Sequence, residues 1–203
     1  LTMEHQFVER MIAGRKLRIE TGKVAKQAAG AVVVTYADTV VLAAVITGPP
    51  REGVDFFPLT VDYREKTYAA GKFPGGFFKR EARPTQKEIL TMRMIDRPLR
   101  PMFPAGFVDE VLIQAMVLAT DQENEPDILA MLGSSAALCV SQLPFEGPSA
   151  ACRVAYVEGE YVLNPTLKQL EFATMEMVLA GHKDALNMIE VGAMEVSEQV
   201  VSD

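Results

Sequence analysis

Residues 75–101 read GGFFKREARPTQKEILTMRMIDRPLRP, and this stretch divides into a loop and a helix. The loop has two glycines, two adjacent aromatic residues and two cations, which is typical of an exposed tip that offers ring faces to bases and charges to phosphates. After Pro84, the residues from Thr85 to Glu88 fit a capping box, in which both side chains bind the first backbone N–H groups of a helix. We therefore predict that a helix begins directly after Thr85.

The predicted helix carries a stripe of arginines. At about 100° per residue, Arg93, Arg97 and Arg100 fall within about 60° of one another. Pro98 should end or kink the helix near Arg97, because proline lacks an N–H group and clashes with the preceding turn. Apolar side chains flank the stripe on both sides and predict a largely buried helix: Ile89, Met92, Ile95 and Leu99 on one side, Leu90 and Met94 on the other.

These arginines have two interpretations. A single arginine beside a core most often pairs with a nearby carboxylate, such as Asp96 or Asp109. Three arginines at helical spacing, next to an aromatic and cationic tip, instead favour the binding of an external anion. The residues predicted to contact that anion are Phe77, Phe78, Lys79, Arg80, Arg83, Arg93, Arg97 and Arg100.

Charge is unevenly distributed along the chain. The net charge of the 203 residues is -7, yet the stretch from Lys79 to Arg100 holds seven cations and three anions, a net +4. Residues 1–100 carry 17 Lys/Arg and 11 Asp/Glu, whereas residues 101–203 carry 3 and 16, so the two halves have charges of +6 and -13. The first half is therefore predicted to bind a polyanion, and single-stranded RNA is favoured over DNA because exposed rings suit unstacked bases.

Composition restricts the class of protein. With 49% hydrophobic residues, the chain can fill the core of one large domain or two small ones. Cys139 and Cys152 lie in apolar contexts, which predicts buried free thiols in a reducing compartment. No stretch approaches about 18 uninterrupted apolar residues, and nothing near the start resembles a signal peptide. We therefore expect a soluble, cytoplasmic protein that does not bind a membrane.

Alternating apolar residues and turn signals predict an α+β fold. Ser197 resembles the N-cap of a helix that the sequence does not complete, which suggests that the chain stops inside its own fold. Pro126 fits the first position of a helix over residues 127–142. Hairpins are predicted over residues 7–12 with 15–20, 31–35 with 39–46, 150–157 with 160–163 and 175–180 with 185–191, and single strands over 56–63 and 110–120.

Few residues indicate autonomous chemistry. His5 and His182 lie far apart without cysteine partners, so they are interpreted as surface histidines rather than metal ligands or catalytic bases. The run from Gly133 to Ser135 could hold a phosphate, but its small side chains favour close packing of a helix on a sheet. No P-loop or dinucleotide fingerprint is present.

Several longer blocks identify a family. They are DFFPLTVDY (residues 55–63), YAAG (68–71), FFKRE (77–81), MIDRPLRP (94–101) and VLNPT (162–166). Together they resemble the first RNase PH-like core domain of the bacterial polynucleotide phosphorylase family, from about residue 6 to residue 198. The resemblance implies a fold like ribosomal protein S5 domain 2, with a mixed sheet packed against helices. Residues 1–203 would then be this first core domain, truncated in its last helix.

The resemblance also implies a longer parent enzyme with a second core domain and RNA-binding domains. That parent trims RNA from its 3′ end with inorganic phosphate, releases nucleoside diphosphates, runs in reverse as a polymerase and uses Mg²⁺ or Mn²⁺ bound by the second core domain, so no metal is expected in this fragment. It forms a homotrimeric ring and joins RNA-degradation complexes. Residues 77–80 correspond to the loop that narrows the pore of this ring and grips single-stranded RNA.

The sequence departs from the family's catalytic copy of the domain. Where that copy has a serine-rich phosphate loop, residues 122–127 read QENEPD, and its two aspartates and lysine align with Leu170, Glu176 and Val178. With one carboxylate left, this half is predicted to be catalytically silent and to line the RNA channel. Two alternatives stay open: a non-catalytic RNA-binding ring subunit of exosome type, and a structural domain whose arginines form only internal ion pairs.

Overall fold

The computed structural model describes residues 4–75, 77, 79–81, 83–183 and 185–203. These residues form an α+β fold with a mixed sheet, as predicted. The helices are α1 Gln86–Leu99, α2 Pro126–Cys139, α3 Leu167–Leu170 and α4 Glu198–Ser202. The strands are β1 Gln6–Ile12, β2 Arg15–Thr21, β3 Gly30–Tyr36, β4 Thr39–Gly48, β5 Leu59–Glu65, β6 Glu110–Ala119, β7 Ala150–Val157, β8 Glu160–Leu163, β9 Ala173–His182 and β10 Ala185–Ala193.

The strands lie in two sheets. The first has the order β1-β2-β3-β4-β6-β5. It is mixed because β5 pairs with β6 in parallel, whereas the other pairs of neighbouring strands in this sheet are antiparallel. Parallel neighbours need a crossover, which α1 provides between β5 and β6. The second sheet is antiparallel, with the order β10-β9-β7-β8. All four predicted hairpins are present.

Helix α2 packs against both sheets, through β3 and β4 on one side and β7 on the other. Two glycines allow this close approach. A Cβ atom on Gly133 would lie 3.1 Å from side-chain atoms of Ala43 and Val34, and one on Gly30 would lie 2.1 Å from the backbone oxygen of Ala137. The Ser135 hydroxyl accepts a hydrogen bond from the Ser149 amide at 2.8 Å. The predicted packing role of Gly133 to Ser135 is therefore confirmed.

Several predicted boundaries differ from those of the structure. Helix α1 continues to Leu99 because the Arg100 amide still donates to the Asp96 carbonyl, although Pro98 cannot donate. Helix α2 ends at Cys139 rather than residue 142, and β5 begins at residue 59 rather than 56. The burial of α1 was also overestimated, since Ile89 and Leu90 are 47% and 49% exposed at its first turns, before the helix reaches the core.

The predicted burial of Cys139 is wrong as well. Cys139 is exposed because it is the last residue of α2, where the helix leaves the core, whereas Cys152 is half-buried in β7. Both histidines are exposed, and Ser197 caps α4 by accepting a hydrogen bond from the Val200 amide. Among the described residues, no helix has the length and apolar character needed to cross a membrane.

Candidate nucleic-acid interface

We call residues 72–83 the lip. Both of its ends are attached to one short 3₁₀ turn, Thr67–Ala70. At the first end, the Lys72 amide donates to the Thr67 carbonyl at 3.1 Å. At the second end, the Glu81 carboxylate accepts hydrogen bonds from the Thr67 amide at 2.6 Å and from the Thr67 hydroxyl at 2.8 Å. The lip is therefore a loop that is closed at its base.

The base of the lip is fixed by charge and by the first sheet. The hydrogen bond from the Thr67 amide, followed by the contact with Lys66, lowers the pKa of Glu81 from 4.5 to about 2. The Lys66 ammonium lies 3.0 Å from this carboxylate. The turn itself is held to the end of β6, because the Thr120 amide donates to the Ala69 carbonyl at 3.1 Å. These contacts hold the base of the lip to the end of β6.

The predicted contact residues of the lip include an aromatic ring and three cations that are exposed to solvent. Phe77 is 93% exposed. Lys79, Arg80 and Arg83 are exposed, and none of them forms an ion pair with another residue that the structure describes. Phe78, which belongs to the same predicted contact set, lies outside the described residues. Cations without internal partners and an exposed ring are the groups that bind phosphates and unstacked bases.

The arginines of α1 have different environments. Arg93 is exposed and has no ion-pair partner in the described part of the chain. Arg97 pairs with Glu190 of β10. Arg100 forms two hydrogen bonds with Asp96, at 2.7 and 2.5 Å, and a third with the carbonyl of Phe57 at 2.9 Å. Of the three arginines on α1 that were predicted to bind an external anion, Arg97 and Arg100 therefore already pair with carboxylates of this chain.

Glu88 fixes the helix that follows the lip. As predicted, Thr85 and Glu88 form a capping box: the Glu88 amide donates to the Thr85 hydroxyl, and the Thr85 amide donates to the Glu88 carboxylate at 2.6 Å. The second carboxylate oxygen of Glu88 accepts from the Glu65 amide at 2.9 Å. Because Glu88 is buried and joins α1 to the end of β5, it also sets the direction in which the lip leaves the sheet.

The segment that the resemblance places at the family's phosphate loop is organised around the Asp121 carboxylate. Asp121 accepts hydrogen bonds from the Glu123 and Asn124 amides, both at 2.8 Å, and from the Asn124 side chain at 2.6 Å. The Asn124 side-chain oxygen accepts from Arg15. The backbone N–H groups that could bind a phosphate are thus occupied by Asp121, and the acidic side chains would repel an anion.

A buried ion pair follows at the start of α2. The Arg153 Nη2 atom lies 2.5 Å from Oδ2 of Asp127, and both side chains are almost fully buried. Glu176, which the resemblance places at the position of a catalytic aspartate, lies 2.9 Å from Arg153 Nε without the alignment of a hydrogen bond. Val178, which the resemblance places at the position of the catalytic lysine, is buried in the core. The Glu176 carboxylate therefore faces the Arg153 guanidinium.

A cavity of about 260 Å³ lies beside this cluster. Its lining is mostly apolar, with residues from β1, β2, α2 and β7, and its polar members include Asn124 and Arg153. In the described part of the chain, no three His, Cys, Asp or Glu side chains are grouped so that they could hold a metal ion. The side chains that line the cavity do not fit a divalent-cation site.

The anchoring role of Glu81 is not predicted from the sequence. Glu81 is one of the three anions in the cationic stretch, and in the structure it holds one end of the lip. A carboxylate next to an exposed glycine-rich loop is a weak signal, because its partner Thr67 lies 14 residues earlier. Neither spacing nor periodicity relates the two positions.

Two family models match the chain. The model described as 3′ exoribonuclease family, domain 1, matches residues 13–144, and domain 2 of the same family matches residues 147–203. The boundary between them falls just before β7, where the chain passes from the first sheet to the second.

Curated relatives include proteins named polyribonucleotide nucleotidyltransferase. The one from Rhodopseudomonas palustris (strain BisB5) is 57% identical over 189 residues, which are 93% of this chain and 26% of the relative. The one from Rhodospirillum centenum (strain ATCC 51521 / SW) is 56% identical over 194 residues, 95% of this chain and 27% of the relative. The chain thus spans about a quarter of the length of these relatives.

Solved structures with a similar fold include an Archaeoglobus fulgidus exosome with RNA bound to the active site. The TM-score is 0.71 at 15% identity, covering 98% of this chain and 81% of that one. An archaeal exosome core gives a TM-score of 0.65 at 15% identity, covering 98% of this chain and 79% of that one. At this identity the likeness establishes the fold alone.

Proposed function

Since the chain belongs to the 3′ exoribonuclease family, we propose that residues 1–203 are the first RNase PH-like core domain of a polynucleotide phosphorylase. We assign it the binding of single-stranded RNA at the lip, without a catalytic site of its own. The observation that carries this assignment is the lip itself, with an exposed ring at Phe77 and cations that have no ion pair among the described residues. A net charge of -7 makes nonspecific attraction of RNA to the whole chain unfavourable, so binding requires such a local surface.

In the parent enzyme, an oxygen of inorganic phosphate would attack the phosphorus of the last phosphodiester bond of RNA. The bond from that phosphorus to the 3′ oxygen of the preceding nucleotide breaks, this oxygen takes a proton, and a nucleoside diphosphate leaves. The residues of this chain would hold the strand by stacking and charge while another domain performs that step.

We propose a homotrimeric ring in the cytoplasm, within an RNA-degradation complex, as the setting. The parent would use Mg²⁺ or Mn²⁺, and no step is assigned to metal on these residues because their donor set does not fit one.

Fluorescence anisotropy with a labelled 20-nucleotide oligo(A) tests the binding role. Removal of two lip cations, Lys79→Ala with Arg80→Ala, should reduce the slope of log affinity against log salt by about 1.4, because each neutralised phosphate of a single strand contributes about 0.7. The control removes two exposed cations elsewhere, Arg10→Ala with Lys26→Ala. Equal losses in both double variants would contradict the assignment to the lip.

The ring contribution is tested separately. Phe77→Ala should weaken oligo(A) binding by about 1–3 kcal/mol if the ring stacks on a base, without a change in melting temperature, because the ring is 93% exposed. Release of nucleoside diphosphates from RNA and phosphate is then measured for the intact longer protein. If the intact protein binds RNA but releases no nucleoside diphosphates, the chain is part of a ring subunit that only binds RNA, and the assignment to a phosphorolytic enzyme is wrong.

A further inference from the structure

Phe73 is as exposed as Phe77. Both side chains are 93% exposed, and among the large hydrophobic residues that the structure describes, the next most exposed is Met194 at 74%. A phenylalanine that is almost fully in water contributes little to the core, so its ring is available to a ligand. The two most exposed rings of the described chain therefore lie four positions apart on one loop.

The base of the lip gives Phe73 a fixed position. It follows Lys72, whose amide is bound to the Thr67 carbonyl, and the preceding Gly71 has a φ of 66° and donates to Tyr68 at 2.9 Å. Phe73 thus stands one residue beyond the closed base, whereas Phe77 lies near the middle of the lip. A ring on a fixed base loses less conformational freedom when it binds than one on a free segment.

The short spacing between the two residues limits the ligand. Four residues of extended chain span at most about 14 Å, so the two Cα atoms cannot be farther apart. At a rise of about 3.4 Å per stacked nucleotide, a single strand needs only a few nucleotides to reach from one ring to the other. The cations Lys79 and Arg80 belong to the same loop and can bind the phosphates of such a segment.

We propose that Phe73 is a second base-stacking platform of the lip, which binds a nucleotide of single-stranded RNA within a few positions of the one on Phe77. The inference rests on the proposed function, because it assigns a further contact residue to the same RNA-binding surface. Stacking on a phenyl ring does not read base edges, so this contact adds affinity without sequence preference.

The absence of tryptophan from the chain allows a direct test. A Phe73→Trp variant has one indole, whose emission should be quenched when oligo(A) stacks on it, with the same midpoint as the anisotropy titration. The control is Phe172→Trp, at a 61% exposed phenylalanine after α3, whose emission should not change. Emission from Phe73→Trp that stays constant while anisotropy reports binding would overturn the proposal. Quenching that depends on protein concentration without RNA would overturn it too, by assigning Phe73 to a contact between copies.

Affinity provides a second measurement. Phe73→Ala and Phe73→Leu should each bind oligo(A) about 5- to 150-fold more weakly than the original chain, since leucine keeps an apolar side chain but has no ring face. Phe172→Ala should bind normally. If Phe77→Ala and the Lys79 and Arg80 substitutions weaken binding while both Phe73 variants do not, the proposed function stands and this inference fails. If the original chain does not bind oligo(A), the proposed function fails first.

Discussion

Replacement of Glu81 by glutamine should release one end of the lip. The carboxylate accepts two hydrogen bonds from Thr67 and pairs with Lys66. A hydrogen bond to a charged group contributes about 1.5–3 kcal/mol and a neutral one about 0.5–1.5 kcal/mol, so the loss is about 1 kcal/mol for each bond. The exposed ion pair adds at most about 1 kcal/mol. Because the Glu81 side chain is 28% exposed, solvent reduces the sum, and we expect about 1–2 kcal/mol.

Hydrogen exchange of the Thr67 amide measures this loss directly, since that amide donates to Glu81. A change of 1–2 kcal/mol corresponds to an exchange rate about 5- to 30-fold faster in Glu81→Gln. The melting temperature should also fall, by about 2–8 °C, because a loss of 1 kcal/mol lowers it by about 2–4 °C in a domain of this size. Glu160→Gln, at an exposed glutamate of β8, is the control and should leave Thr67 protected.

The effect of pH follows from the sign of the pKa shift. The folded-state pKa of Glu81 is about 2, below its ordinary 4.5, so the charged carboxylate stabilises the closed lip fully above about pH 4.5. That stabilisation is lost as the pH falls from about 4.5 through 2. In the original chain, Thr67 protection corrected for the intrinsic exchange rate should decline over this range, and in Glu81→Gln it should not. Equal Thr67 exchange in the two proteins at neutral pH would refute the anchoring role.

Three further substitutions separate packing from binding. Gly133→Val should lower the free energy of unfolding in urea by about 1–3 kcal/mol or more through overpacking, whereas Gly192→Val, where a Cβ meets nothing within 4 Å, should cost much less. Asp127→Asn should lower the free energy of unfolding in urea by about 1.5–3 kcal/mol, because buried Arg153 loses a charged hydrogen-bond partner and keeps only the half-exposed Glu176 as a counter-charge. Arg93→Ala should reduce the salt dependence of RNA binding without changing the melting temperature, and Arg97→Ala, which loses an internal ion pair, should lower the melting temperature slightly instead.

The sequence predicted those parts of the site that depend on neighbouring residues. The capping box predicted the first turn of α1 because its two side chains bind backbone groups three positions away. The hairpins were predictable for the same reason, since turn residues and alternating side chains act locally. Boundaries were less accurate where the chain tolerates a residue that ordinarily ends a helix. Pro98 illustrates this, because the bond from Arg100 to Asp96 keeps α1 helical beyond it.

The partners of the arginines could not be predicted from their spacing. Periodicity places Arg93, Arg97 and Arg100 on one stripe, but it does not state which carboxylates other elements bring to that stripe. Arg97 finds Glu190, 93 positions later, and Arg100 binds the carbonyl of Phe57, 43 positions earlier. One helix therefore carries both kinds of arginine: Arg97 and Arg100 pair within the chain, and Arg93 has no ion-pair partner among the described residues. The carboxylates that the fold brings near each arginine determine which kind it is.

Internal partners of the charged groups also favour the binding of an anion at the lip over binding at the start of α2. A helix N-terminus ordinarily favours anions. At α2, however, Pro126 removes one N–H donor and Asp121 already occupies the amides of the preceding turn, so a phosphate would have to displace a carboxylate held by three hydrogen bonds. In the lip the single carboxylate, Glu81, is engaged with Thr67 and Lys66, which leaves Lys79 and Arg80 without a competing internal anion among the described residues. Binding there displaces counterions rather than protein groups, and this difference in cost favours the lip.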